Sequence, residues 1–165
     1  MIVMKFGGTS VGNAEAIGRL SDIVRREQRP RLLVVSALSG ITDQLLCLAR
    51  AAGTNADHHL SSMVEQIRDR HAQLTAAVVD SSHRQSVLDA VDETCRELAA
   101  LVHAVSVLHE LSKRSADAVA AFGESLSSRL VGAALRSVGV NAEAIDATRV
   151  LVTDAQHGRA QPLLD

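Results

Sequence analysis

The chain has 165 residues and a net charge of −2; 47% of its residues are apolar and 22% are charged. These values are typical of one globular domain with a hydrophobic core, and they exclude a disordered chain. With no basic block, two Phe and no Tyr or Trp, the chain has little on which nucleic-acid bases could stack, so we expect no nucleic-acid partner.

We also expect no membrane association. No apolar run reaches the roughly 18 residues of a spanning helix, and the N-terminus lacks the basic region and cleavage site of a signal peptide. Cys47 and Cys95 each lie within an apolar helical pattern, which predicts two buried thiols in a reducing compartment, the cytoplasm. The seven His show no metal-ligand spacing, so we predict no metal site.

The first twelve residues, MIVMKFGGTSVG, predict a strand, a glycine turn and the start of a helix. Gly7 and Gly8 accept backbone angles that other residues avoid and let a ligand approach the main chain. Backbone N–H groups at a helix start favour phosphate, and Lys5 adds a positive charge. We therefore predict a phosphate-binding loop of Lys5, Gly7, Gly8, Thr9 and Ser10. The alternative is an ordinary turn with a solvated lysine.

A helix capped by Asn13 and ended by Pro30 follows, and the apolar run Leu32 to Val35 predicts a buried, parallel strand. Strand, helix and strand form a βαβ unit. Ligands of open α/β sheets gather at the carboxyl ends of the strands, so the loop after this second strand should open beside the glycine loop.

Three hydroxyl residues, Ser36, Ser39 and Thr42, lie in or just after that second loop. Small hydroxyl side chains can hydrogen-bond a carboxylate or phosphate without filling the site. The simpler interpretation is that Ser39 or Thr42 caps the helix that runs through Ala51, and both roles can coexist.

Two long apolar stripes at helical spacing, joined by a polar turn at Asp80, predict a helical hairpin over about 57–111. His71 lies in the first stripe, which indicates a packed histidine rather than a ligand. We find no catalytic grouping in the hairpin and assign it to packing or to a partner surface.

The next predicted helix contains a glycine, Gly123, which costs roughly 1 kcal/mol relative to Ala in a helix interior. A glycine beside an acid suggests the close approach of a ligand or of another backbone, with Glu124 as a buried acceptor for an ammonium group. The alternative is a helix crossing at Gly123, with Glu124 paired to Arg129 or solvated. Further along, residues 140–146 predict a third strand and residues 149–153 a short fourth one.

Four segments in this order resemble aspartate kinases of the amino-acid-kinase family: KFGGTS at 5–10, SALSGITD at 36–43, FGESLS at 122–127 and GRAQP at 158–162. The resemblance spans nearly the whole chain. It implies a three-layer αβα fold of the α/β class, of which this chain is the N-terminal lobe, with a mainly parallel sheet and a helical hairpin insertion.

The resemblance also implies a reaction, the ATP-dependent phosphorylation of the β-carboxylate of L-aspartate, with Mg²⁺ carried by ATP. Lys5 would contact the transferring phosphate, and Gly7 and Gly8 would offer it backbone N–H groups. Thr42, with Ser36 and Ser39 nearby, would hold a substrate carboxylate. Glu124 would take the substrate ammonium. The attacking group, the β-carboxylate of the substrate, is already ionised at neutral pH, so no general base is required.

Kinase domains of this family continue past the segment resembled here, with a Gly-Arg-Gly-Gly-Ser-Asp loop, an adenine pocket and, in most members, regulatory ACT domains. We therefore expect residues 1–165 to form the aspartate-binding part of such a domain and to be inactive alone. A sheet cut at this point should expose an apolar edge or face, so we expect a homo-oligomer. There are two alternatives. One is a kinase of another carboxylate or carbamate, and the other is a non-catalytic protein that binds an amino acid or a kinase partner.

Overall fold

A computed structural model of the chain describes residues 1–54 and 59–163. Within these ranges there are two strands, β1 (Ile2–Phe6) and β2 (Arg31–Val35). The α-helices are α1 (Gly8–Val11), α2 (Ala14–Arg26), α3 (Ile41–Gly53), α4 (Leu60–Val78), α5 (Ser81–Leu108) and α6 (Lys113–Ser137). No helix of these ranges is long and apolar enough to cross a membrane.

The predicted βαβ unit is confirmed. β1 and β2 pair in parallel, with Lys5 opposite Val34 and Phe6 opposite Val35, so both strands end at the same edge. Asn13 caps α2 as predicted, because its side chain accepts a hydrogen bond from the Ala16 N–H at 2.9 Å. α2 ends at Arg26, four residues before Pro30.

The sheet is covered on one face. Phe6, Leu33 and Val35 pack against the helical core. On the other face Val3 is 60% exposed, and Leu32 and Val34 are each 46% exposed. β2 is thus parallel as predicted but buried on one side only, and the predicted exposure of an apolar face is confirmed. The described residues thus form an α/β arrangement in which two parallel strands are covered by helices on one face.

The predicted helical hairpin is formed by α4 and α5. Asp80 lies in the connection between them, and its carboxylate accepts hydrogen bonds from the N–H groups of Ser82 and His83, both at 3.0 Å. Arg68 and Asp92 join the two helices at 2.7 Å. Residues 57 and 58, where the hairpin was predicted to begin, lie outside the described residues. The hairpin packs against α3 and α6 and so supports the helices that lead to the sheet edge.

The prediction for the two thiols is half right. Cys95 is buried, but Cys47 is exposed. On α3 the buried positions are Ile41, Leu45, Leu48, Ala49 and Ala52, and residue 47 falls between them on the outer side of the helix.

The third and fourth strands predicted after α6 are wrong. The backbone there is hydrogen-bonded to the end of α6 instead: the Val140 N–H donates to Leu135 O at 3.0 Å, and Arg136 donates to Ala142 O at 2.9 Å. Residues Ala147–Arg149 form a 3₁₀ turn. Thr153 makes an isolated antiparallel bridge to Pro162.

The exposed face of the sheet generates a prediction about self-association. Leu32→Glu places a charge in the centre of the apolar row. In sedimentation velocity this variant should contain less of the associated species and more monomer than the wild-type chain. Ile23→Glu, at an apolar position of α2 that is 50% exposed, is the matched control and should sediment as wild type. A monomeric wild type over the whole concentration range would contradict the prediction.

His71 generates a second prediction, about pH and stability. Its side chain is fully buried in the hairpin. Its Nδ1 donates to Ile67 O at 2.7 Å, and within the described residues its Nε2 has no partner. Burial, with a smaller contribution from the neighbouring Arg70 charge, lowers the pKa of His71.

Because the pKa of His71 is lower in the folded state than in the unfolded chain, the unfolded state binds more protons once the pH falls below about 6.5. The free energy of unfolding should therefore be constant above that pH and fall between pH 6.5 and 5.5, by at most about 1.4 kcal/mol per pH unit. His71→Leu should remove this slope in urea titrations. His103→Gln, at an exposed position of α5, should retain it, and an unchanged slope in His71→Leu would contradict the assignment.

Candidate active site at the carboxyl edge of the strands

The loops that follow β1 and β2 pack directly against each other. A Cβ atom at Gly8 would lie 3.0 Å from Ala37 O, and one at Gly12 would lie 3.1 Å from Ser39 Cβ. Both distances are shorter than ordinary van der Waals contact, so glycine at these two positions lets the loops approach. The predicted juxtaposition of the glycine loop and the hydroxyl loop is therefore present.

Lys5 stands over the glycine loop. Its side chain is exposed at the end of β1, and its Nζ lies 3.5 Å from where a Cβ of Gly7 would be. The structure adds a one-turn helix, α1, between the glycine turn and α2, with the Ser10 N–H donating to Gly7 O at 2.9 Å. Thr9 and Ser10 line a cavity of about 360 Å³ between this turn and α2.

The hydroxyl loop does not cap α3. The N-cap is Gly40, at φ +80°, and it makes no side-chain capping hydrogen bond, so the expectation that Ser39 or Thr42 serves as the cap is wrong. A left-handed residue at this position suits glycine and turns the chain into the helix. Within the described residues, the hydroxyls of Ser36, Ser39 and Thr42 take part in no hydrogen bond. Ser39 is exposed and the other two are half-buried.

Helix α6 crosses the hydroxyl loop at Gly123. A Cβ there would lie 2.7 Å from Ala37 Cβ and 3.2 Å from Leu45 Cδ1, which no side chain tolerates without a shift of its neighbours. The helix-crossing interpretation of Gly123 is thus confirmed.

Glu124 is exposed, so the interpretation as a buried acceptor is wrong and the solvated alternative is confirmed. Successive residues of a helix are turned by about 100°, and this rotation carries residue 124 from the crossing point out to the sheet edge. One carboxylate oxygen, Oε1, accepts a hydrogen bond from the Ala37 N–H at 3.2 Å. No ion pair with Arg129 occurs among the described residues.

Ser127 is a site residue that sequence reasoning missed. It is fully buried, and its hydroxyl donates to Ser36 O at 2.8 Å. The available signal was the i, i+3 spacing of Glu124 and Ser127, because residues at that spacing share one face. Apart from Ser127, the buried positions of α6 hold apolar residues or glycine.

The fourth motif lies against the first half of α6. The Gly158 N–H donates to Asp117 Oδ2 at 2.7 Å, and His157 Nδ1 lies 3.7 Å from the same oxygen. Asp117 is about two helical turns before Glu124. In the described ranges, no group of three or more His, Cys, Asp or Glu side chains could hold a metal ion.

Parallel strands with a lysine–glycine loop and a hydroxyl loop at one edge define an α/β protein with cationic and hydroxyl side chains gathered at that edge. The chain belongs to the amino acid kinase family, whose model matches residues 1–163.

Its relatives include aspartokinases. It is 29% identical to the aspartokinase of Chlamydia muridarum, over 98% of this chain and 33% of that protein. It is also 29% identical to the lysine-sensitive aspartokinase 3 of Escherichia coli, over 98% and 34% respectively. Against the bifunctional aspartokinase/homoserine dehydrogenase 2 of Arabidopsis thaliana the identity is 29%, over 92% and 17%. The chain thus spans about a third of the aspartokinases and about a sixth of the bifunctional enzyme.

Solved structures agree with these relatives. The chain matches E. coli aspartokinase III in complex with lysine and aspartate with a TM-score of 0.87 at 28% identity, covering 98% of this chain and 35% of that one. It matches the same protein in complex with aspartate and ADP with a TM-score of 0.86 at 28% identity, covering 98% and 34%. The resemblance inferred from the four motifs is confirmed.

The crossing at Gly123 generates a prediction about stability. Gly123→Ala forces a methyl group against Ala37 and should lower the free energy of unfolding by about 1–3 kcal/mol, the usual cost of overpacking. Gly18→Ala is the matched control. A Cβ at Gly18, on the exposed side of α2, meets nothing within 4 Å, so this change should stabilise by about 0.5–1 kcal/mol through helix propensity. Urea unfolding measures both, and equal effects of the two substitutions would contradict the prediction.

Proposed function

We propose that this chain forms the substrate side of an aspartate kinase, which phosphorylates the β-carboxylate of L-aspartate with ATP and yields 4-phospho-L-aspartate. This reaction opens the biosynthesis of lysine, threonine and methionine. The observation that carries the proposal is the meeting of three elements at one sheet edge: Lys5 above the glycine loop, the hydroxyl loop, and Glu124 bonded to Ala37. The aspartate named with both matched aspartokinase III structures supports the choice of substrate.

The phosphate end of the proposed site is cationic. Phosphoryl transfer needs in-line positioning and positive charge on the phosphate oxygens rather than covalent help. Lys5 supplies a charge that a flexible side chain can move with the transferring group. Backbone N–H groups of Gly7 and Gly8 would bind the same oxygens, with Thr9 and Ser10 in the same loop. Mg²⁺ would enter on the ATP phosphates and neutralise charge there.

The substrate end is anionic and polar. The Oε1 atom of Glu124 accepts the Ala37 N–H, which leaves Oε2 for an ammonium group. The hydroxyls of Ser36, Ser39 and Thr42 would donate to a carboxylate. An amino acid that carries an ammonium and a second carboxylate fits this combination, and its carboxylate is ionised at neutral pH, so the site needs no base to activate it.

The proposed reaction needs more of a kinase than the third of the aspartokinases that this chain matches. We assign phosphoryl transfer to a polypeptide that contains the remainder of the kinase domain as well, and expect the 165-residue chain alone to bind L-aspartate without turnover. We also infer a cytoplasmic location, because an exposed thiol that is not in a disulfide, Cys47, suits a reducing compartment.

Glu124→Gln tests the substrate assignment. Isothermal titration of the 165-residue chain with L-aspartate and with succinate, which lacks the amino group, separates the ammonium contact from the carboxylate contacts. Loss of a charge-assisted hydrogen bond should weaken L-aspartate binding about 10- to 100-fold and leave succinate binding unchanged. Glu97→Gln, at an exposed acid of α5, is the control. Wild-type affinity of Glu124→Gln for L-aspartate would refute the role, and a chain with no affinity for L-aspartate would refute the proposed function.

A further inference from the structure

One peptide group of the hydroxyl loop, between Ser36 and Ala37, is held at both of its polar atoms by α6. Its carbonyl accepts a hydrogen bond from Ser127 Oγ at 2.8 Å, and its N–H donates to Glu124 Oε1 at 3.2 Å. The C=O and N–H of a trans peptide point in opposite directions. Two side chains that bind both ends therefore fix the rotation of this peptide, which we call the 36–37 peptide.

The geometry of α6 makes this double contact possible. Glu124 and Ser127 are three residues apart and so lie on one face of the helix. Gly123 brings the backbone of α6 close to the loop, since a Cβ there would lie 2.7 Å from Ala37 Cβ. Ser127 is fully buried, and the only other acceptor near its hydroxyl among the described residues is Glu124 O at 3.2 Å. Its single proton is therefore directed to the loop by the shorter bond.

The two peptide groups that flank the 36–37 peptide lie against β1 and the glycine loop. The Ser36 N–H donates to Phe6 O at 3.1 Å, which continues the pairing of β1 and β2 past the end of the strands. The next carbonyl along the loop, Ala37 O, lies 3.0 Å from the Cβ position of Gly8. A rotation of the 36–37 peptide would shift both flanking groups, so its orientation bears on how the hydroxyl loop lies against the glycine loop.

We propose that Ser127 is a positioning residue of the candidate site. Its hydroxyl holds the 36–37 peptide, and the peptide N–H in turn holds Glu124 by one oxygen, so that the second oxygen faces the sheet edge. Glu124 is exposed and has a long side chain, whose ordering would otherwise oppose binding. Ser127 itself touches no ligand. The identity of the ligand, an amino acid with an ammonium group, rests on the proposed function; the anchoring of Glu124 does not.

Hydrogen–deuterium exchange of the ligand-free 165-residue chain tests the anchoring. In Ser127→Ala the Ala37 amide should exchange about tenfold faster than in wild type, because the peptide is held at one end only. Ser128→Ala is the matched control: the Ser128 hydroxyl donates to Ser125 O within its own helix at 3.0 Å, and its loss should leave Ala37 unchanged. Equal exchange at Ala37 in Ser127→Ala and wild type would overturn the proposal.

Ser127→Cys covers the case in which Ser127→Ala folds poorly. The thiol fills the space of the hydroxyl, although it is somewhat larger, and it is only a weak donor, so Ala37 should again exchange faster, by a smaller factor. Wild-type exchange in this variant, with the fold intact, would likewise overturn the proposal.

Ligand binding separates positioning from general stability. Ser127→Ala should weaken L-aspartate binding about three- to tenfold and bring its affinity closer to that for succinate. The double variant Glu124→Gln/Ser127→Ala should bind L-aspartate as weakly as Glu124→Gln alone, because residues that act through one contact are not additive. Additive losses would overturn the positioning role. If the wild-type chain binds no L-aspartate, the proposed function fails, and exchange at Ala37 still decides whether Ser127 anchors Glu124.

Discussion

The site depends on one close contact, the crossing of α6 over the loop after β2 at Gly123. The two segments are almost 90 residues apart along the chain, and the helical hairpin occupies most of the sequence between them. Only at a residue without a Cβ can the helix backbone approach Ala37 this closely. That approach brings Glu124 and Ser127 within hydrogen-bond distance of the loop. A wider separation would leave both side chains short of the 36–37 peptide.

The hairpin supports this crossing from behind. α4 and α5 pack against α3 and against α6, the two helices that carry Thr42 and Glu124. Ile67 and Leu98 are fully buried at their contact with the core. Close-packed interiors have few voids and low compressibility, so the hairpin helps to hold α3 and α6 in their relative position. The hairpin therefore contributes to the candidate site by supporting the two helices that frame it.

Features that depend on local sequence were predictable, and those that depend on distant contacts were not. The two parallel strands, the Asn13 cap and the hairpin each have a signal within a few residues or a clear period. The capping of α3 by Gly40 instead of Ser39 depends on a left-handed backbone that the SALSG sequence permits but does not demand. The exposure of Glu124 follows from the direction in which α6 crosses the loop. The exposure of Cys47 follows from which side of α3 faces α6. Residues 140–146 show the same limit: their alternating apolar pattern suits a strand, but their backbone groups are bonded to the end of α6.

The exposed face of the sheet has a consequence for the electrostatics of Lys5. Val3 and Lys5 are two residues apart on β1 and lie on the same side of the sheet. Leu32 and Val34 pair with them on β2. A protein surface that packs on this apolar row would also cover the aliphatic stem of Lys5 and leave its ammonium group at the edge of the contact. Water would be displaced from around that charge, and the local dielectric constant would fall. Coulombic attraction to an anion at the glycine loop would rise in proportion. The degree to which this face is covered would therefore affect how strongly Lys5 attracts an anion at the proposed site.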